Sequence, residues 1–162
     1  MDESEDRRYR RACGSFATGV VVVSTRAADG RMSGLTVNSW SSVSLNPRLI
    51  QWCLGNESAR FPAFQAAERW GVTVLGADEE KLALRYARVA TETIDAGEAD
   101  LIDGAPVLKA GIAHFACRTY ARFPAGDHVL MVGEVIEFNA RPGAALTYFR
   151  GRYGRAEEPE NI

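Results

Sequence analysis

The chain has 162 residues, of which 46% are hydrophobic and 25% charged, with 19 basic against 21 acidic side chains. That length suits one domain with its own core, and the composition excludes a disordered chain. A formal net charge of −2 argues against a nucleic-acid binder, which carries a basic excess on one face. Cys13, Cys53 and Cys117 show no CxxC spacing, so no metal site is expected and a cytoplasmic, reducing setting fits better than secretion. The start, Met1 to Arg8, is charged where a signal peptide would be apolar. No run approaches the ~18 apolar residues of a membrane-spanning helix, so no membrane partner is expected.

Residues 1–8 are expected to be a flexible N-terminus, 9–154 the folded domain and 155–162 a loose tail. Tyr9, Ala12, Cys13 and Phe16 fall at helical spacing and predict a helix over Arg7 to Phe16, stopped by Gly19. Val20 to Thr25 reads as a buried strand, and the Asp29-Gly30 turn pairs it with Met32 to Val37 in a hairpin. Ser39 to Ser44 reads as a serine-rich segment leading to a turn at Asn46-Pro47, and Leu49 to Leu54 as a strand. Ala59 to Ala67 predicts a short helix begun near Ser58, and Arg69 to Leu75 a strand. Asp78-Glu79-Glu80 opens a second amphipathic helix with Leu82, Tyr86 and Val89 on one face. Thr91 to Gly104 reads as an acidic, exposed excursion. Ile112 to Ala121 and His128 to Phe138 read as long strands joined by Phe123 to Asp127. About six strands with short connections and few helices predict a mainly β, α+β domain whose antiparallel sheet closes on itself.

The segment Gly34 to Pro47 concentrates hydroxyl and amide side chains between two apolar strands. Such groups at a strand end can hold a phosphate or a polar ring edge, or can satisfy their own turn. Neither GxxxxGK[ST] nor GxGxxG is present. His128, after a Gly-Asp turn, reads by itself as a solvent-side hydrogen-bonding residue, and His114, in an apolar strand, as structural.

Four segments in order carry a family resemblance: Arg10 to Val20 (RRACGSFATGV), Gly34 to Pro47 (GLTVNSWSSVSLNP), Gly126-Asp127-His128, and Tyr148 to Gly154 (YFRGRYG). Together they resemble the flavin reductase-like family with an FMN-binding split barrel. The resemblance implies a six-stranded antiparallel split β-barrel, a homodimer, and flavin held at the subunit interface. It implies hydride transfer from NADH or NADPH to FMN or FAD, with reduced flavin passed to a partner monooxygenase. A flavin-binding electron carrier without direct nicotinamide turnover is the alternative. Thr36, Val37, Asn38 and Ser39 match the segment lying against the isoalloxazine ring, and Ser41 and Ser42 match positions near the ribityl chain and phosphate. Cys53, Asn56 and Ser58 match the next flavin-lining strand end, followed by Arg60, either a phosphate ligand or a surface arginine, and Phe61. His128 matches the histidine on the nicotinamide side, the expected catalytic position. Arg152 and Tyr153 either meet the pyridine nucleotide or pack a C-terminal turn. Trp40, Asn46, Arg48 and the Gln51-Trp52 pair depart from the family pattern, as does Ala87 to Ala105.

Overall fold

The computed structural model describes residues 4–88 and 93–159. Val89, expected on the second amphipathic helix, lies outside them. In chain order the elements are α1 (Glu5–Cys13), β1 (Thr18–Gly19), β2 (Val21–Arg26), β3 (Met32–Val37), β4 (Ser41–Leu45), β5 (Arg48–Gly55), α2 (Phe61–Ala66) and β6 (Arg69–Val74). Then follow α3 (Glu80–Arg88), β7 (Thr93–Ile94), β8 (Ala99–Ile102), β9 (Ala105–Leu108), β10 (Ala113–Ala125), β11 (His128–Ala140), β12 (Ala145–Phe149) and β13 (Arg152–Ala156).

The main sheet runs β4-β5-β11-β10-β6-β2-β3-β7, every pair antiparallel. The strands expected from sequence are β2, β3, β5, β6, β10 and β11, and they lie side by side in the order β5-β11-β10-β6-β2-β3. Two edges remain, β4 and β7, as a split rather than a closed barrel requires. A smaller sheet, β1-β12-β13, joins through the Leu146 N–H bond to the Leu75 carbonyl.

The Val20–Val23 run is explained by burial on both sides. Val21 and Val23 enter one core with Trp52, Phe64, Trp70 and Met131, while Val20 and Val22 enter a second with Leu75, Tyr86 and Leu146. A strand buried on both faces reads as a continuous apolar run instead of alternating. In the first core, Trp52 meets Phe64 and Trp70 edge-on at 5.1 and 6.0 Å between centroids. Gly133 makes this possible, since a Cβ there would stand 2.3 Å from the Trp70 ring. In the second core, Ala83 and Tyr86 of α3 pack down while the Glu79 carboxylate ahead of the helix accepts N–H bonds from Gly76 (2.6 Å) and Gly111 (2.8 Å).

Several expectations are corrected. The first helix starts at Glu5, inside the segment expected to be flexible, and ends at Cys13. It buries no residue, Tyr9 is 70% exposed and Phe16 beyond its end 77% exposed, so the expected apolar stripe is not part of the chain's core. Ser41–Leu45 is an edge strand, not loop. Within Thr91 to Gly104, β7 and β8 form and Ile94 and Ala99 are buried against the second core. Arg155 and Ala156 belong to β13, where a loose tail was expected. The Ala59–Ala67 helix is shorter, because Pro62 sits in its first turn and Arg60 is its N-cap.

Cys117 is fully buried, and that burial pushes its thiol up to about 12, whereas Cys13 is exposed. An aqueous thiol reagent at mildly alkaline pH is expected to label Cys13 in the folded protein and Cys117 only after denaturation, counted by mass. Gly71 is the tightest glycine, where a Cβ would lie 2.0 Å from the Pro106 carbonyl oxygen. Gly71→Ala should cost about 1–3 kcal/mol in a urea titration. Gly97→Ala, with nothing within 4 Å, should stay within about 0.5 kcal/mol of the parent.

Candidate functional site

The β2–β3 register, with Val37 opposite Val21 and Thr36 opposite Val22, delivers Asn38 to the end of the sheet. Three adjoining clefts share Asn38. The largest, about 520 Å³, lies between the Phe16–Gly19 segment and Ser39, Trp40, Ser41 and Gln51. A second, about 210 Å³, has Thr36, Val37, Tyr148 and Tyr153 in its walls. The third, about 420 Å³, continues past Phe16 and Tyr148 to Tyr9, Arg10 and Cys13 of α1.

Gln51 organises the first cleft. Its Nε2 donates to the Ser39 carbonyl (3.2 Å) and to Ser41 Oγ (2.7 Å), while Ser39 Oγ accepts the Cys53 N–H at 3.0 Å. Alternation along β5 puts Gln51, Cys53 and Gly55 on one half-buried face, with Ile50, Trp52 and Leu54 in the core. Sequence reading took Gln51-Trp52 as an interruption of an aliphatic strand. The structure separates the two residues, one lining the cleft and one filling the core.

Three buried polar atoms at this cleft have no hydrogen-bond partner among the described residues: Thr18 Oγ1, Trp40 Nε1 and Gln51 Oε1. A buried polar atom left unpaired costs about 1–3 kcal/mol, a cost that a ligand seated in the cleft would offset wherever it reached and paired one of them. Trp40 Nε1 can only donate, the amide oxygen of Gln51 can only accept, and the Thr18 hydroxyl can do either. The aromatic rings of Phe16, Trp40, Tyr148 and Tyr153 stand around the same junction. The arrangement suits a flat heteroaromatic ring whose edge alternates carbonyl and N–H groups. None of Phe16, Thr18, Trp40, Gln51 and Tyr148 was singled out from sequence as a binding residue. An amide inside an apolar strand was the one available signal.

The residues expected at the site divide into groups. Asn38, Ser39 and Ser41 line the main cleft. Thr36, Val37 and Tyr153 line its neighbour, with Tyr153 edge-on to Tyr148 at 5.3 Å. The Thr36 hydroxyl itself donates to the Ala83 carbonyl at 2.6 Å, tying β3 to α3. Ser42 is exposed opposite Ile50 and Arg152 exposed opposite Phe149, and neither lines these clefts.

Asn56 is drawn to the β10–β11 turn, its N–H donating to the Asp127 carbonyl at 2.9 Å. His128 lies opposite Gly55, whose added Cβ would stand 3.6 Å from Nε2. The His128 Nδ1 is 2.7 Å from Asp127 Oδ1. The hydrogen bond from His128, then its charge, holds the Asp127 carboxyl below the usual range, and the charge of Arg10 on α1 adds to this. Gly55 is two residues from Cys53 on the same face, so His128 stands about 7 Å along β5 from the Ser39 contact.

Ser58, Arg60 and Phe61 are not brought to Asn38. Ser58 Oγ accepts the Arg60 N–H at 3.3 Å, Phe61 packs on the first core, and Arg60 lines a separate cleft with Arg31 and Ala63. No cluster of three or more His, Cys, Asp or Glu side chains among the described residues could hold a metal. Among the described residues, no helix is long and apolar enough to cross a membrane.

Comparison with known proteins places these features. Residues 13–157 match the family described as flavin reductase like domain. An FMN reductase (NADH), SmoA, of Agrobacterium fabrum is 40% identical over 149 residues, spanning 92% of this chain and 85% of that protein. The reductase component of a flavin-dependent trigonelline monooxygenase of Acinetobacter baylyi is 34% identical over 152 residues, 91% of this chain but 48% of that protein. The solved NADH:FAD oxidoreductase SgcE6 of Streptomyces globisporus, in complex with NAD and FAD fragments, superimposes with a TM-score of 0.88 at 30% identity. The match covers 99% of this chain and 98% of that one.

Proposed function

The chain belongs to the flavin reductase-like family, and on that premise we propose that it is an NAD(P)H:flavin oxidoreductase acting on FMN or FAD. The observation that carries the proposal is the aromatic cleft at Asn38 with its three unpaired polar atoms. The pyrimidine edge of an isoalloxazine presents carbonyl, N–H and carbonyl in sequence. Its two acceptors and one donor match in kind the Trp40 N–H, the Thr18 hydroxyl and the Gln51 amide oxygen. When bound, the flavin supplies a ring that accepts a hydride from reduced nicotinamide, so no acid or base on the carbon is required.

The protein's part is position and electrostatics. Gln51 fixes Ser39 and Ser41, so the backbone between β3 and β4 would border a bound ring as a stiff frame. Asn38 sits where the ring cleft opens to the Tyr148–Tyr153 pair, which offers an aromatic wall for the nicotinamide. His128, oriented by Asp127, holds the nicotinamide side and can donate a hydrogen bond there.

The likeness to a named monooxygenase reductase component supports delivery of reduced flavin to a partner monooxygenase. A homodimer is part of the reading. Val43 and Leu45 on β4 and Ile136 and Phe138 on β11 are exposed, Leu45 at 91%, and Arg48 lies over the Phe138 ring at 5.6 Å. A second copy of the chain would cover this apolar face. Three unpaired thiols accord with a cytoplasmic setting.

Purified protein with added FMN or FAD is expected to oxidise NADH or NADPH in the steady state, and no oxidation with either nucleotide would overturn the assignment. Gln51→Leu should weaken flavin binding about threefold to tenfold by fluorescence quenching, the effect of one lost hydrogen bond. His128→Ala should raise the apparent KM for the nicotinamide nucleotide and leave flavin affinity unchanged. Loss of flavin affinity instead would move His128 to the flavin side.

A further inference from the structure

The charge of this near-neutral chain is not evenly spread. Arg7, Arg8, Arg10 and Arg11 of α1 and Arg150 of the β12–β13 turn line one open groove of about 770 Å³. The other residues of its walls are Ala12, Gly14, Ser15 and Gly151, with no acidic side chain among them. Glu5 and Asp6 in the first turn of α1 stand three and four residues ahead of Arg8 and Arg10 and offset part of this charge. Like charges three and four residues apart on a helix destabilise it by about 0.2–0.5 kcal/mol per pair, and α1 buries no residue to compensate. The helix dipole favours cations in the last turn, which covers Arg10 and Arg11 but not Arg7 and Arg8.

Arg150 makes the placement more pointed. It adopts φ +48°, a conformation that favours glycine, and its N–H donates to the Gly14 carbonyl at 2.9 Å. That bond docks the β12–β13 turn against the end of α1, while the Arg150 guanidinium stands over the Phe149 ring at 5.2 Å at the groove's edge.

The groove is continuous with the ring cleft. It shares Arg10, Gly14 and Gly151 with the α1 cleft, which in turn shares Phe16, Thr18 and Asn38 with the cleft of the unpaired polar atoms. A ligand with its ring at Asn38 that extends past Tyr9 and Cys13 ends among guanidinium groups.

We propose that this arginine groove is a subsite for the adenosine diphosphate half of a dinucleotide whose reactive ring lies at the Asn38 junction. Adjacent phosphates present several anionic oxygens at once, which guanidinium forks meet bidentately and a single ammonium does not. The inference rests on the flavin reductase reading and adds what that reading leaves open. The same diphosphate belongs to FAD and to the nicotinamide dinucleotides, so the groove favours a dinucleotide over a mononucleotide without itself naming which.

The test compares the parent protein with Arg7→Gln/Arg8→Gln/Arg150→Gly. These substitutions fall on a helix with no buried residue and on a turn whose φ suits glycine, so the fold should survive. ADP, FMN and FAD are titrated by calorimetry and flavin fluorescence, and NADH by steady-state KM. The triple variant is expected to lose tenfold or more in ADP affinity while FMN affinity and kcat are unchanged. If FAD supplies the diphosphate, the parent binds FAD at least tenfold tighter than FMN and the variant does not. If the nicotinamide dinucleotide supplies it, FAD and FMN bind alike and the variant raises the NADH KM instead.

Equal ADP, FAD and NADH parameters in both proteins, with FMN still bound, would overturn the subsite and leave the reductase reading standing. They would hand the arginines to an acidic protein surface. Failure of the parent to bind FMN or FAD at all would overturn both.

Discussion

Strand β2 is the constraint on which the rest of the molecule depends. Its valines, with Val20 just ahead of it, face two cores at once, Val21 and Val23 on one side and Val20 and Val22 on the other. Each fully buried valine contributes on the order of 1.5–3 kcal/mol, an upper figure because unfolded chains are already partly compact. A slip of one residue would exchange the two faces, and every neighbour would meet the wrong partner. With β2 fixed, β3 can pair with it in one register, and the chain leaves the sheet at Asn38. Upstream, the same anchoring holds Thr18 and Phe16 across from Ser39 and Trp40. The cleft is thus a by-product of a strand that cannot move.

Around that anchor the site is assembled from pieces distant in sequence. Ser39 meets Gln51 and Cys53 by side-chain hydrogen bonds, Gly55 meets His128 by strand pairing, and Tyr148 meets Tyr153 across a hairpin. None of these links is strong alone, since a typical intramolecular hydrogen bond contributes about 1 kcal/mol net. Their effect is geometric. His128 lies within van der Waals reach of β5 at Gly55, and the two tyrosines close the cleft from a sheet that is only bridged to the main one.

The six long strands were legible because each carries a strong period or an unbroken apolar run, bounded by turn residues. The strands that sequence reading missed are short or lie at edges. β4 reads as serine-rich turn because its side chains are mostly exposed, and β7 and β8 hide in an acidic stretch because each strand buries one residue, Ile94 and Ala99, with Ile102 only partly buried. The helix α1 was legible as a helix, but the pattern of Tyr9 and Phe16 gave no sign that none of the described residues would cover these rings. The segment from Thr36 to Ser41 was readable as a site through its motif. Gln51 was not, since its role depends on Ser39 and Ser41 lying opposite it, which no local pattern encodes. The Ser58–Arg60–Phe61 group shows the converse. It is adjacent in sequence to cleft residues, yet the chain turns into α2 and carries Arg60 to another face.

Ser39 has one more implication. Its hydroxyl takes the Cys53 amide hydrogen where β4 has already ended, so a side chain continues the ladder by one rung. The edge strand and the cleft wall are therefore one mechanical piece, and peeling β4 from its neighbour must also unseat the wall. Amide exchange at Cys53 would then track the opening of the cleft more directly than exchange at any residue of β4 itself.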